Sequence, residues 1–269
     1  MPELPEVQTV LDGLVSVLQG REISIVETYY PGTLIRDPEL DIDPFPARLT
    51  KALRRGKYMI LHLEGGTSLI IHLRMTGKLV YDPHPEDVHK HERARIHLRG
   101  EDAIRFIDPR TFGKITLLKS SNLDHYLPKL GPEPLSMDFN PLYLYQMVHT
   151  RKAPIKNLLL DQGLVAGLGN IYVCELLYRS GIHPETPGNL ITKPQAKMMV
   201  KHCKDVLNEA LAVGGTSISD YRRIDDKSGE FQNFLRVYQK KQCPLGHALA
   251  NVRLGGRSSF FCPVCQELP

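Results

Sequence analysis

The chain has 269 residues, 42% hydrophobic and 24% charged, the composition of a globular protein long enough for two domains of ordinary size. Its formal net charge of +4 is too small to argue alone for a nucleic-acid partner, and no apolar run reaches the roughly 20 residues that span a bilayer. The N-terminus lacks the charged-then-apolar order of a signal peptide, and the five cysteines, odd in number and bunched towards the end, fit reduced thiols in a cytoplasmic protein better than disulfides.

The first six residues, Met1-Pro2-Glu3-Leu4-Pro5-Glu6, carry a chemical possibility. Initiator methionine is usually removed before a small residue, which would leave Pro2 as an N-terminal secondary amine. An α-amino group titrates near ~8 against ~10.4 for lysine, so more of it is neutral at physiological pH. Neutral amines attack carbonyl-like carbons and form Schiff bases. Glu3 follows directly as a proton donor or acceptor. Taken alone, the six residues fit an ordinary helix start better. The spacing of Val7, Val10, Leu11, Leu14, Val17 and Leu18 predicts an amphipathic helix over residues 5–19, with Pro5 in its first turn and Gly20 at its end. The Pro2 amine then lies just outside a helix N-terminus, whose dipole disfavours the protonated form.

From residue 22 to about 118 the pattern becomes short β-rich runs: Ile23–Tyr29, Tyr58–Leu63, Ser68–Leu73, Ala94–Leu98, Ala103–Ile107 and Lys114–Leu117. Arg55-Gly56, Gly65-Gly66 and Arg99-Gly100 are turn signals between them, and the spacing predicts a sandwich or barrel. Leu130-Gly131-Pro132-Glu133-Pro134 reads as a domain boundary. Helical patterns follow over residues 140–149, 154–161, 169–180 and 193–212, and residues 233–269 are again β-like. The expected class is α+β: an N-terminal β-sandwich with a leading helix (1–130), a helical domain (131–232) and a C-terminal finger (233–269).

Two stretches of the second half carry chemistry. Glycines 163, 167 and 169 allow tight turns between two helical patterns, and Asn170 is a good N-cap for the second of them. Exposed N–H groups there would form an anion site with Lys156 beside it; a plain helical hairpin explains the pattern equally well. The other stretch is Cys243-Pro244-Leu245-Gly246-His247 with Cys262-Pro263-Val264-Cys265, where a Cys-x-x-Cys pair has the bite for one zinc ion. Three reduced structural cysteines without metal are the alternative. The same tail, residues 231–269, holds Arg236, Lys240, Lys241, Arg253 and Arg257 against Glu267 alone, so it carries the whole formal charge excess, a compact footprint for phosphates.

Taken together, these motifs resemble the bacterial formamidopyrimidine-DNA glycosylases, base-excision enzymes that are also lyases at abasic sites. The elements run in the family order from Met1 to Gln266: Pro-Glu-Leu-Pro-Glu, Arg54-Arg55-Gly56-Lys57-Tyr58, His72-Leu73-Arg74-Met75-Thr76-Gly77, Asp108-Pro109-Arg110-Thr111-Phe112-Gly113, a helix-two-turn-helix around Asn170, and the terminal finger. The resemblance implies that Pro2 is the Schiff-base nucleophile at the sugar C1′, that Glu3 assists ring opening at O4′, and that Lys57 contacts the lesion-side phosphate. It makes Met75, Arg110 and Phe112 the residues that enter the duplex, and Lys156, Asn170 and Arg257 the phosphate grip. It also places His91 among the DNA-binding residues, and matches residues 215–238 to a loop closing over the extruded base. A base stacked in a duplex is inaccessible, so such an enzyme flips the nucleotide and fills the hole with side chains. Methionine and phenylalanine suit that wedge; core packing is their other ordinary fate.

Two departures stand out. Arg74 occupies a position where the family more often has glycine. Gly246 stands where a zinc-ligating cysteine belongs, so either His247 takes its place or metal binding is impaired. The expectation is one structural zinc on Cys243, His247, Cys262 and Cys265. The implied protein is a monomeric, cytoplasmic glycosylase and lyase acting on oxidised purines or abasic sites in double-stranded DNA, with no membrane partner. A glycosylase of the endonuclease VIII type, for oxidised pyrimidines, and a non-catalytic zinc-finger DNA-binding protein are the alternatives.

Overall fold

In the computed structural model, which describes residues 1–217 and 222–269, the N-terminal periodicity forms helix α1, Leu4–Leu18. Glu3 is its N-cap in a reciprocal capping box: Glu3 N–H donates to Glu6 Oε2 at 2.8 Å, and the Glu3 carboxylate accepts the Glu6 N–H. Gly20, at φ 73°, lets the chain leave the helix. Leu4, Val7, Val10, Leu11, Leu14 and Leu18 make the buried face.

Nine strands follow: β1 (Glu22–Thr28), β2 (Leu34–Arg36), β3 (Ala47–Arg55), β4 (Tyr58–Leu63), β5 (Thr67–His72), β6 (Lys78–Asp82), β7 (Glu92–Leu98), β8 (Ala103–Ile107) and β9 (Lys114–Lys119), then the short helix α2 (Leu123–Tyr126). Their hydrogen-bonded order is β2-β9-β5-β4-β3-β1-β7-β8-β6. All pairings are antiparallel except β2 with β9. Only Glu22↔Arg48 and Ile23↔Ala47 join β1 to β3, so the strands form the two leaves of the expected sandwich. One core cluster contains the apolar face of α1 with Met59, Leu61, Leu69, Ile71, Ile96, Phe106 and Ile115 from both leaves.

Residues 213–232 were expected within the helical domain. They cluster instead with residues 1–128 as the first compact unit, and residues 129–212 with 233–269 form the second. The cause is long-range: the Tyr81 N–H on edge strand β6 donates to Ile224 O at 2.9 Å, and Ile224 joins the first unit's core.

The second unit holds α3 (Pro141–Val148), α4 (Ile155–Leu160), α5 (Asn170–Arg179), α6 (Lys193–Ala212) and the hairpin of β10 (Ala250–Leu254) and β11 (Arg257–Phe261). Gly169, not Asn170, is the N-cap of α5; Asn170 is the first helical residue and its side chain is used elsewhere. Glu175, fully buried on α5, accepts the N–H groups of Arg236, Val237 and Tyr238 at 2.9, 3.0 and 2.9 Å, which ties the finger's lead-in to the helix. The expected boundary at residues 130–134 laces into the turn between α4 and α5: Gly131 N–H donates to Gln162 O at 2.8 Å and Ala166 N–H to Pro132 O at 3.0 Å. A Cβ on Gly131 would stand 2.4 Å from Leu164 O. Gly131→Ala is therefore expected to destabilise the protein by roughly 1–3 kcal/mol, the usual cost of overpacking; an unaltered denaturant midpoint would show that the linker has room.

Candidate functional site

In the first unit, the N-terminus and the β3–β4 turn meet along α1. Pro2 and Glu3 are buried, while Met1 is 39% exposed. Arg54 donates from Nε to Gln8 Oε1 on α1 at 3.0 Å and from Nη1 to Gly56 O at 3.0 Å. Gly56 reverses the chain at φ 56°. The turn delivers Lys57, only 6% exposed, to the neighbourhood of His72, whose ring lies edge-on to Tyr58 with centroids 4.3 Å apart. Burial first, and then the cations Arg74 and Lys57, push the His72 imidazole down to about 3, so it is neutral at physiological pH. Its Nδ1 accepts the Arg74 N–H at 3.0 Å.

The two loops expected to enter a duplex are exposed at their tips and fixed at their base. Met75 is 41% and Phe112 49% exposed, so neither belongs to the core. The Arg110 guanidinium sits 4.9 Å from the Phe112 ring centroid, within cation–π range. Arg74 and Thr111 both take left-handed backbone, at φ 53° and 61°. Glycine adopts that region freely, which gives the physical reason a glycine suits position 74. Fully buried Asp108 joins the loops: its carboxylate accepts from the Thr76 hydroxyl and from the N–H groups of Arg110 and Gly113, the last two at 3.2 and 2.7 Å. His91 is brought to the same place, since its carbonyl accepts the Asp108 N–H at 2.9 Å. Arg93 Nε donates to Asp108 O at 2.7 Å. The sequence motifs contain His72 and Asp108 without showing what either does; a histidine and an aspartate flanking apolar tips are the available signal.

In the second unit, Lys156, Asn170 and Arg257 converge on one turn. Asn170 Nδ2 donates to Ser258 O at 2.9 Å; Lys156 Nζ donates to the same carbonyl at 3.1 Å and to Ser259 Oγ at 2.5 Å. Arg257 is exposed at the start of β11, after Gly255 and Gly256 in left-handed backbone. Lys156 is fully buried, so its ammonium braces the turn that presents Arg257 and does not itself stand at the surface. The loop matched to residues 215–238 is described except for residues 218–221, which lie outside the described residues.

The sulfur and nitrogen ligand atoms of Cys243, His247, Cys262 and Cys265 all lie within 4.8 Å of one another. His247 Nδ1 is 3.6, 3.8 and 3.4 Å from the sulfurs of Cys243, Cys262 and Cys265. Zinc with ordinary Zn–S and Zn–N bonds at tetrahedral angles requires N···S separations of about 3.5 Å. The donor set fits. Gly246, at φ 82°, makes the wider Cys-x-x-x-His turn, closed by the Gly246 N–H to Cys243 O bond at 2.9 Å and the Cys243 N–H to His247 O bond at 3.0 Å. Burial opposes the Cys243 thiolate, but N–H groups of Leu245 and His247 and the Tyr178 hydroxyl outweigh it and bring the thiol down to about 6.

Residues 1–115 match the signature of the formamidopyrimidine-DNA glycosylase N-terminal domain, and residues 130–222 that of the formamidopyrimidine-DNA glycosylase H2TH domain. A relative from Ruegeria pomeroyi named formamidopyrimidine-DNA glycosylase is 38% identical over 291 residues, covering 99% of this chain and 100% of its own. Among solved structures, a mutant Lactococcus lactis FPG bound to Fapy-dG containing DNA is similar with TM-score 0.92 and 33% identity, over 99% of this chain and 100% of that one. An LlFpg mutant with one cysteine replaced by Gly-His, bound to a THF containing DNA, gives TM-score 0.91 and 33% identity over the same shares.

The buried His72 has a consequence for stability. An unfolded histidine takes up a proton near 6.5, whereas His72 in the fold does so only at about 3. Across that window the unfolded state binds the extra proton, so stability falls as pH drops. In His72→Gln, the decline in Tm between pH 6 and pH 4 is expected to be shallower than in wild type, and equal slopes would refute the burial of a neutral imidazole.

Proposed function

The chain belongs to the formamidopyrimidine-DNA glycosylase family, and from that premise we propose that it excises oxidised purines from double-stranded DNA and cleaves the resulting abasic site. The observation that carries this reading is the fixed Pro2-Glu3 pair: Glu3 is 3% exposed and locked into the α1 capping box, while the exposed Met1 leaves without disturbing the core. A neutral Pro2 amine attacks the sugar C1′ as the C1′–N bond to the damaged base breaks, the departing base taking the proton that the amine loses. A proton on O4′ then breaks the C1′–O4′ bond and leaves the Pro2–C1′ iminium. Glu3 is the group beside the amine that donates the O4′ proton. The Pro2–C1′ iminium then acidifies the neighbouring C2′ protons, so the phosphates leave by successive β- and δ-elimination and the strand is cut. Lys57 supplies a cation to the lesion-side phosphate, and Arg257, with its braced turn, to the backbone.

Exposed Met75, Arg110 and Phe112 take the place of the flipped nucleotide. Similar Lactococcus lactis structures hold DNA with Fapy-dG and DNA with an oxidised pyrimidine, so the purine reading rests on the family and not on the lesion those complexes contain. No helix among the described residues is long and apolar enough to cross a membrane. The four-ligand cluster would hold one structural zinc ion, whose chemistry is to cross-link a hairpin too small to bury a core of its own. The Gly-His replacement in the similar LlFpg mutant corresponds in kind to Gly246-His247 and supports His247 as the fourth ligand.

Borohydride trapping tests the chemistry. A duplex carrying 8-oxoguanine or an abasic site is expected to cross-link to the N-terminal peptide, and Glu3→Gln to lose base excision by far more than it loses affinity. Adducts through Lys57 in a protein that retains Met1 would overturn the assignment. For the finger, metal analysis is expected to give one zinc per chain in wild type and a deficit in His247→Ala, with DNA binding weakened together with the metal. Full zinc in that variant would remove His247 from the ligand set.

A further inference from the structure

We propose that residues 213–217 and 222–232 belong to a strap whose docking through Ile224 positions the catalytic N-terminus, with Glu6 as the link; this rests on the proposed role of Pro2. The docking end is a fitted socket. Ile224 is 9% exposed and fills a notch on α1 that only glycine leaves open: a Cβ on Gly13 would stand 2.4 Å from Ile224 Cγ2. The backbone bond from Tyr81 N–H to Ile224 O and a 2.8 Å ion pair between Lys78 Nζ and Asp226 Oδ1 flank that contact. The strap is thus held by α1 on one side and by edge strand β6 on the other.

Its neck closes on itself and then on Glu6. Glu230 N–H donates to Val213 O at 3.2 Å, Phe231 N–H to Gly215 O at 3.0 Å, and Gly229 N–H to Ser217 Oγ at 2.9 Å. Neither limb can shift without the other. From this neck the Thr216 N–H donates to Glu6 Oε1 at 2.7 Å, while Glu6 Oε2 accepts the Glu3 N–H at 2.8 Å. Gly215 approaches so closely, at φ 79°, that a Cβ there would lie 2.8 Å from Glu6 Oε1.

The Glu3 N–H belongs to the peptide plane that carries Pro2. Once Met1 is gone, Pro2 is attached to the chain through that plane alone, so the bond of the Glu3 N–H places the Pro2 Cα, and packing around the buried ring sets its turn about the Cα–C bond. The terminal torsion of a glutamate is broad, and the Glu3 N–H on Oε2 narrows it. A second N–H, from the strap, fixes the plane of both oxygens. Ile224, Thr216 and Glu6 are therefore positioning residues: none reaches a reacting atom, and together they aim the one that does.

Amide exchange and single-turnover trapping, measured on the full-length protein with an abasic duplex, test the proposal. In Ile224→Ala, the Glu3 and Thr216 amides are expected to exchange about tenfold faster while Val10 and Leu11 of the same helix keep their protection, and trapping to slow by about tenfold at unchanged Kd, as small misplacements of reacting groups do. Ile224→Val should restore most of both. Because the path runs through Glu6, adding Ile224→Ala to Glu6→Gln should slow trapping little further, whereas independent sites would show additive losses. Unchanged Glu3 exchange, additive losses, or affinity falling in step with rate would each overturn the proposal. Should Ile224→Ala fail to fold, Asp226→Asn at the exposed ion pair reads the same two amides with the same expected direction. A wild type that protects its Glu3 amide through Ile224 yet forms no adduct would sink the Schiff-base reading and leave the strap standing.

Discussion

The irregular parts of this molecule depend on one kind of interaction, a buried carboxylate that accepts backbone N–H groups from segments with no sheet or helix to satisfy them. Glu6 takes the N–H groups of Glu3 and Thr216, Asp108 those of Arg110 and Gly113, and Glu175 those of Arg236, Val237 and Tyr238. A buried N–H left unpaired is costly, and each bond to a charged acceptor contributes roughly 1.5–3 kcal/mol. These carboxylates fix the N-terminus, the two exposed loops and the start of the finger. The regular framework supplies position; the carboxylates supply orientation.

Much of that framework was legible in the sequence because its periodicity is local. The helix of residues 5–19, the four later helical patterns and the six β-rich runs all reappear within two residues of their expected bounds. Strands β2, β3 and β6 were missed for reasons their surroundings supply. β2 is three residues long and, like β6, lies at a sheet edge, where one side needs no apolar partner. β3 reads Ala-Arg-Leu-Thr-Lys-Ala-Leu-Arg-Arg and is largely exposed, so its charged residues hid the alternation.

The site was legible by residue type and less so by environment. The cysteine spacing, His247 and the permissive Gly246 could be read directly, since a cluster able to hold a metal is local in sequence when two short turns supply it. Lys156 could not be read as buried, because the groups that accept its protons, Ser258 and Ser259, come from a hairpin about a hundred residues further on. The same distance explains Asn170, whose side chain looked free to cap its own helix and is engaged by Ser258 instead. Likewise, nothing near residue 213 in the sequence announces that the chain returns there to the first unit.

That return affects the order in which the protein is made. The first unit is not contiguous: it needs residues 213–232, which leave the ribosome after the four longer helices of the second unit have been synthesised. The Glu6 carboxylate, among the first groups to emerge, meets Thr216 only when 210 further residues have been added. The sandwich can therefore collapse early around α1, as N-terminal parts of a chain commonly do during synthesis, but Glu6 gains its bond from Thr216 only late in translation. The end of the molecule that is born first is among the last to be finished, and a chain released short of residue 232 lacks the segment that completes its first unit.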